Sequence, residues 1–471
     1  MSYRQTTQTL DRRSFLKSSA GLAGTLLVGA PRSPAWGATP LLTVASRTIE
    51  VNKKAAKIFS VLGSNGTPGI VTQEGGRFAG GLLNASGEPL QMHWHGQTKA
   101  PANQDRARPG GGLLGLDQTD IHDFELTPGT HWMHAHQLSE QQLLAAPMVA
   151  HEKNAGDVQD VVVMLHDFAF RSPQEILAKL GASDAHGGHG SGGMTPANGE
   201  VMRMAHANDV RYDAYLANDR TFDDPDVVGI EKGGRVRLRI INGGTATAFF
   251  ITTPGLKSRC IAVDGSLCQP LEQAEYPLAP GQRIDVLVEI PQQGGAFPIL
   301  AQVEAERFVT GIVLATAGAS VKKFIAIAET PQTMVALDFE SRLLATSPLS
   351  PKQADKTFTL NLGEGPGYRW TINNRIHGEH QPFDVRQGER VEMTFANPTT
   401  MMHPMHLHGH HFQVVAVGGR RFSGAVRDTI IVPPKVPVTI AFDANNKGSW
   451  FLHCHHLYHM ATGMMTEVKV G

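Results

Sequence analysis

The chain has 471 residues, 41% hydrophobic and 18% charged, a balance that excludes a disordered protein and a length that excludes a single ordinary core. Lys+Arg number 42 and Asp+Glu 43, for a formal charge of −1, which argues against nucleic acid or an anionic membrane as the main partner. There are 22 His but only 3 Cys, so a disulfide scaffold is excluded, and metal binding is indicated only if the histidines are suitably spaced.

The N-terminus carries Asp11-Arg12-Arg13-Ser14-Phe15-Leu16-Lys17 followed by an apolar stretch from Ser18 to Ala30. It resembles a twin-arginine export signal, which carries folded proteins across the bacterial inner membrane; a Sec signal or an uncut anchor is the alternative. The apolar run is shorter than the ~20 residues of a membrane span. Small residues around Ala35-Trp36-Gly37 suit cleavage, so residues 1–37 are expected to be removed. The remaining chain then has 37 basic and 42 acidic residues, net −5. No second long apolar run follows, so no membrane span is expected in the mature protein, and its expected location is the periplasm.

Three copies of one unit come next. Gly75-Gly76-Arg77-Phe78 precedes Asn84, Gly233-Gly234-Arg235-Val236 precedes Asn242, and Gly388-Glu389-Arg390-Val391 precedes Asn397, each Gly-to-Asn spacing being nine residues. The copies start 158 and 155 residues apart, so three domains of about 150 residues are expected. Residues 38–160, 161–325 and 326–471 are their expected bounds, with residues 330–355 connecting the last two.

Between these marks the pattern is that of short strands. Arg235–Ile241 alternates polar and apolar before the turn signal Asn242-Gly243-Gly244; Asp285–Ile290 and Val391–Phe395 are similar. With 50 Gly and 28 Pro as punctuation, the expected fold class is all-β, built of β-sandwiches. One helix is expected at Ser172–Lys179, capped by Ser172 with Pro173 in its first turn. Residues 183–199, rich in Gly and His, suit a flexible loop. With Met202, Met204 and His206 they also suit a labile copper-binding loop. Cys260 and Cys268 flank Asp264-Gly265, a hairpin signal; a disulfide and two separate buried thiols both remain open.

The repeat gives the histidines their meaning. Nine residues after Asn84 comes His93-Trp94-His95, and nine after Asn397 comes His406-Leu407-His408; the same place after Asn242 holds Ile251. Five residues after Gly129 comes His134-Ala135-His136, and five after Gly448 comes His453-Cys454-His455. In a strand each His-x-His turns both imidazoles to one face and the middle residue to the other. If domains one and three meet, eight imidazoles surround a small metal cluster, suited to Cu, Zn, Fe or Ni before Mg or Ca. Cys454 faces away from it, toward a set with His403, His459 and Met464: two His, one Cys and a weak thioether, as in blue-copper sites.

These segments resemble the four copper-binding motifs of the multicopper oxidases, over essentially the whole mature chain. The resemblance implies three consecutive cupredoxin-like Greek-key β-sandwich domains and four copper ions. It implies His403, Cys454 and His459 at a type 1 copper with Met464 axial, and His93 and His406 at a type 2 copper. His95, His134 and His455 would hold one type 3 copper, and His136, His408 and His453 the other. Asp105, in Pro101-Ala102-Asn103-Gln104-Asp105, resembles the family's proton-delivering carboxylate; a plain turn residue is the alternative. Where some relatives have a second acid after the last type 1 His, this chain has Met460. Where some copper oxidases have Asp near the type 1 His, it has Thr399. His131, His410, His411 and His456 are expected to pack beside the motifs. The implied activity is one-electron oxidation of a small reducing substrate, a phenol or aromatic amine, coupled to reduction of dioxygen to water. The rivals are oxidation of Cu(I) or another metal ion, and a non-catalytic copper-binding protein.

Overall fold

The computed structural model describes residues 41–153, 156–184 and 207–471. The expected export signal and most of the His/Gly/Met segment 183–206 lie outside the described residues. Three pairs of sheets follow one another along the chain. In the first, the sheet of Lys54–Gly63, Leu41–Val51, Arg77–Ala85 and Thr119–Glu125 faces the sheet of Ile70–Gln73, Ala145–His151, Gly129–Ala135 and Met92–His95. The second pairs a six-stranded sheet centred on Arg235–Asn242 with a five-stranded one that contains Phe249–Thr252. In the third, Gly448–Cys454 and His403–Leu407 lie side by side in a five-stranded sheet. Crossed connections, such as Leu41–Val51 running parallel to Arg77–Ala85, give each sandwich its non-sequential strand order.

The repeated Asn has a common structural use. Asn84 Nδ2 donates to Glu88 and Leu114 carbonyls at 2.8 and 3.0 Å, Asn242 Nδ2 to Thr247 and Leu278 at 2.9 and 2.8 Å, and Asn397 Nδ2 to Met401 and Val432 at 2.7 and 2.8 Å. Each buried amide ties the end of its strand to a returning segment, satisfying carbonyls that water cannot reach. It thereby fixes where the next strand begins, which in the first and third copies is the strand that carries a His-x-His.

The expected helix forms as Pro173–Asp184. Ser172 and Glu175 make a reciprocal capping box, with Glu175 Oε2 accepting from Ser172 N at 2.8 Å. The alternation at Arg235–Ile241 misleads in one respect: its arginines do not face water. Arg237 and Arg239 are buried and pair with Glu152, Asp160 and Asp285 in an ion network between the first and second sandwiches. Asp264-Gly265 does make the hairpin turn, both at positive φ, and brings the two buried thiols of Cys260 and Cys268 to 3.7 Å.

Candidate metal centre

The strand Met92–His95 pairs with Gly129–Ala135 so that His93 stands opposite His134. The strand His403–Leu407 pairs with Gly448–Cys454 so that His406 stands opposite His453 and Met405 opposite Cys454. Trp94, between two histidines, turns into the first sandwich's core. The four His-x-His pairs therefore project from two sandwiches into one buried space.

Hydrogen bonds behind the rings fix which nitrogen faces inward. His408 Nδ1 donates to Ala107 O at 2.9 Å, His453 Nδ1 to Cys454 O at 2.8 Å, His134 Nδ1 to Ala135 O at 3.0 Å and His406 Nδ1 to Asp428 O at 2.8 Å. Their Nε2 atoms are thus lone-pair acceptors. His95 is reversed: its Nε2 faces Asp428 Oδ1 at 2.9 Å, which leaves Nδ1 inward.

The acceptors then confront one another. His408 and His136 Nε2 lie 3.0 and 3.2 Å from His453 Nε2. His93 Nε2 lies 3.1 Å from His406 Nε2, and His95 Nδ1 lies 3.4 Å from His134 Nε2. His455 Nε2 is buried beside these rings without a hydrogen-bond partner. Two lone pairs facing at such distances repel unless a cation sits between them. Nitrogens bound at about 2.0–2.1 Å in a tetrahedral set are about 3.3 Å apart, so the spacing fits a metal.

On the far face of the Gly448–Cys454 strand, Cys454 Sγ lies 3.7 Å from Nδ1 of both His403 and His459, and those two nitrogens are 3.2 Å apart. Each ring is again held from behind, His403 Nε2 by Thr399 Oγ1 at 2.9 Å and His459 Nε2 by Asp209 Oδ2 at 2.8 Å. Met464 is fully buried, its N–H bonded to His459 O at 2.9 Å. Met401 and Met402, just upstream, are core residues. Asp105 stands behind His93, with Oδ2 2.8 Å from its Nδ1.

Several contributors carry no signal in the sequence. Asp428 faces His95 Nε2 on one side and takes a two-pronged ion pair from Arg283 on the other, at 2.6 and 2.5 Å. Arg283, Gln282 and Gly281 belong to the second sandwich, which supplies no ring. Gln282 Nε2 donates to Thr429 O at 3.1 Å, and a Cβ on Gly281, whose φ is +81°, would lie 2.6 Å from the His455 ring. Only glycine allows this close approach.

Burial and mutual repulsion hold His93, His95, His136, His403, His408, His453 and His455 well below the ordinary imidazole range, and His406 at about 3. Neutral imidazole is the ligating form. A folded-state pKa depressed below the unfolded value means stability that is present above the unfolded pKa and lost as pH falls. The metal-free chain is therefore expected to lose stability steeply below about pH 6.5. Denaturant midpoints at pH 7.5 and 5.5 measure this; equal midpoints would contradict it. Burial pushes the Asp105 carboxyl the other way, up to about 8, against the lowering effect of the Ala107 and Trp94 N–H groups.

Family models described as multicopper oxidase match residues 160–320 and 350–471. The chain belongs to the multicopper oxidase family, whose members are copper oxidoreductases that use dioxygen and a reducing substrate. It is similar to the multicopper oxidase MmcO of Mycobacterium tuberculosis, 27% identical over 96% of this chain and 91% of that protein. It is also similar to a copper resistance protein A homolog of Pseudomonas syringae pv. tomato, 24% identical over 98% and 99%. Among solved structures, Fet3p, a multicopper oxidase that functions in iron import, superposes with a TM-score of 0.74 at 16% identity, covering 91% of this chain and 90% of that one. The laccase from Botrytis aclada superposes at 0.73 and 21% identity, covering 91% and 86%. These neighbours bear out the expected cupredoxin sandwiches. Among the described residues, no helix is long and apolar enough to cross a membrane.

Proposed function

We propose that the chain is a periplasmic, laccase-like oxidase that binds four copper ions and draws single electrons from small phenols or aromatic amines. The observation that carries this is the set of inward-facing acceptor nitrogens, backed by a separate Cys-His-His set whose Cys454 is the strand neighbour of His453. His93 and His406 would hold the type 2 ion. His95, His134 and His455 would hold one type 3 ion, and His136, His408 and His453 the other. Cys454, His403 and His459, with Met464, would hold the type 1 ion. Copper bound there would supply the reversible one-electron chemistry needed to couple substrate oxidation to reduction of dioxygen to water.

The protein's own part is placement and proton supply. The carbonyls of Ala107, Ala135, Cys454 and the Asp428 backbone fix the imidazole tautomers. Asp105, buried behind His93, accepts a hydrogen bond from His93 Nδ1 at Oδ2, and its carboxyl is placed to hold and release a proton beside that ring. Asp105→Asn is expected to keep full copper and the type 1 colour while lowering turnover by about 10²–10⁴ fold. Oxygen uptake measures it, and unchanged turnover from pH 5 to 8 would remove Asp105 from the mechanism. Export through the twin-arginine machinery fits the Arg12-Arg13 segment, and replacing both arginines by lysines should retain the chain in the cytoplasm.

One observation favours a second reading, oxidation of Cu(I) or another metal ion. Asp209, a carboxylate against His459 Nε2, suits a cation as well as a phenol hydroxyl, and the copper-resistance relatives span nearly the whole chain. Oxygen uptake with a substituted phenol and with Cu(I), each with and without added Cu(II), separates them. Preference for the phenol supports the first reading and preference for Cu(I) the second. Failure of the chain to take up oxygen with either would favour a non-catalytic copper protein.

A further inference from the structure

Four histidines sit beside the motifs without a role in either ligand set. Hydrogen bonds account for two of them. His131 joins Pro128 O and Arg283, while His410 donates to His408 O and accepts from Asn446 N. His411 Nε2 also lacks a hydrogen bond, but it faces the Asp428 carboxylate at 3.7 Å. His456 is different.

It follows Cys454 by two residues, just past the end of the strand Gly448–Cys454. It stands at the N-cap of the short helix Leu457–Ala461, yet its side chain makes no cap hydrogen bond. It is 2% exposed, and its Nε2 is buried with no hydrogen-bond partner. A buried polar atom left in this state needs a reason. The neighbourhood supplies one: a ring nitrogen of His456 lies within 4.8 Å of Cys454 Sγ and of a ring nitrogen of both His403 and His459. Donors on opposite sides of one ion, bound at about 2.0–2.3 Å, are separated by up to about 4.6 Å. The ring is 4.8 Å from that of His459 at 70°, and the His456 N–H points to Cys454 Sγ at 3.4 Å.

We infer that His456 is an additional nitrogen donor to the copper held by Cys454, His403 and His459. This rests on the copper reading of the Cys454 site and deepens it. A third imidazole competes with the thiolate for the metal and stabilises the divalent state. The chain is therefore expected to differ from an oxidase with an apolar residue here: weaker red and stronger violet thiolate absorption, and a lower type 1 potential.

The test uses the copper-loaded full chain. Pulsed EPR at the field of the thiolate-bound copper is expected to show three directly bound nitrogens in the native protein. It should show two in His456→Leu and His456→Gln, with absorption moving from violet to red and the midpoint potential rising in both. The native nitrogen count needs no variant, so a misfolded variant does not obscure it. Two nitrogens in the native protein, with unchanged absorption and potential in a folded variant, would overturn the inference alone. A native protein with no thiolate-to-copper absorption at all would overturn the copper reading beneath it.

Discussion

Asp428→Asn is expected to destabilise the protein by about 3–5 kcal/mol and, on the proposed ligand assignment, to weaken copper binding at His95, His134 and His455. Asp428 and Arg283 are fully buried, and removing one partner of such a pair leaves an uncompensated charge in a low-dielectric interior. Burial alone would raise the Asp428 carboxyl; Arg283, with His406 and His411, holds it below the ordinary range instead. The nearest remaining acid, Asp264, is 3.7 Å from Arg283, too far for a strong hydrogen bond. The second effect runs through His95. Its Nε2 proton is held by Asp428, and only that tautomer offers Nδ1 to a metal. Losing such a partner typically costs 10–100 fold in metal affinity. Denaturant unfolding of the metal-free chain and copper counted per chain measure the two effects. An unchanged unfolding midpoint would show the ion pair to be dispensable.

If Cys454 holds a type 1 copper as proposed, Cys454→Ser is expected to abolish its colour and bring turnover to background while the other proposed coppers stay bound. Burial pushes the Cys454 thiol well above its ordinary value, so only a strongly bound cation displaces its proton at neutral pH. Serine is a hard donor with a still higher pKa and does not replace it. Cys454 also lies on the shortest connection between the two sites. Its backbone is continuous with His453, and the Cys454 carbonyl accepts a hydrogen bond from His453 Nδ1 at 2.8 Å, a second path in parallel. Absorption, EPR and oxygen uptake give the result. Retained turnover with the colour gone would show that electrons enter elsewhere.

The ligand pattern was legible because it is local. Strand alternation and a fixed distance from a buried Asn place His93, His95, His406 and His408, and both rules hold within eleven residues. Asp428, Arg283, Gly281 and Asp209 were not legible because they work through contacts 145 to 333 residues apart. Nothing local distinguishes Asp428 from a surface aspartate. Arg237 and Arg239 show the opposite failure: an alternating pattern that normally marks a wet face is here a buried ion network. Thr399, noted in the sequence as a departure from an acid, proves to hold His403 Nε2. The neutral hydroxyl keeps the ring's orientation without adding a charge.

Among the described residues the second sandwich contributes no ring to the site, yet its Gly281–Arg283 turn is a wall against which the histidines of the other two rest. This sets an order of assembly. His93 and His406, whose nitrogens face at 3.1 Å, are 313 residues apart in the chain, and contacts of such separation form late. Until the C-terminal strand docks on the other two sandwiches, the growing chain offers copper only part of each set, such as His93, His95 and His134 of the first sandwich. A ligand that binds only the completed fold stabilises only that state. Copper uptake at the proposed site would therefore report completion of the fold, and truncation or misfolding of any one sandwich, the second included, should be detectable as lost metal.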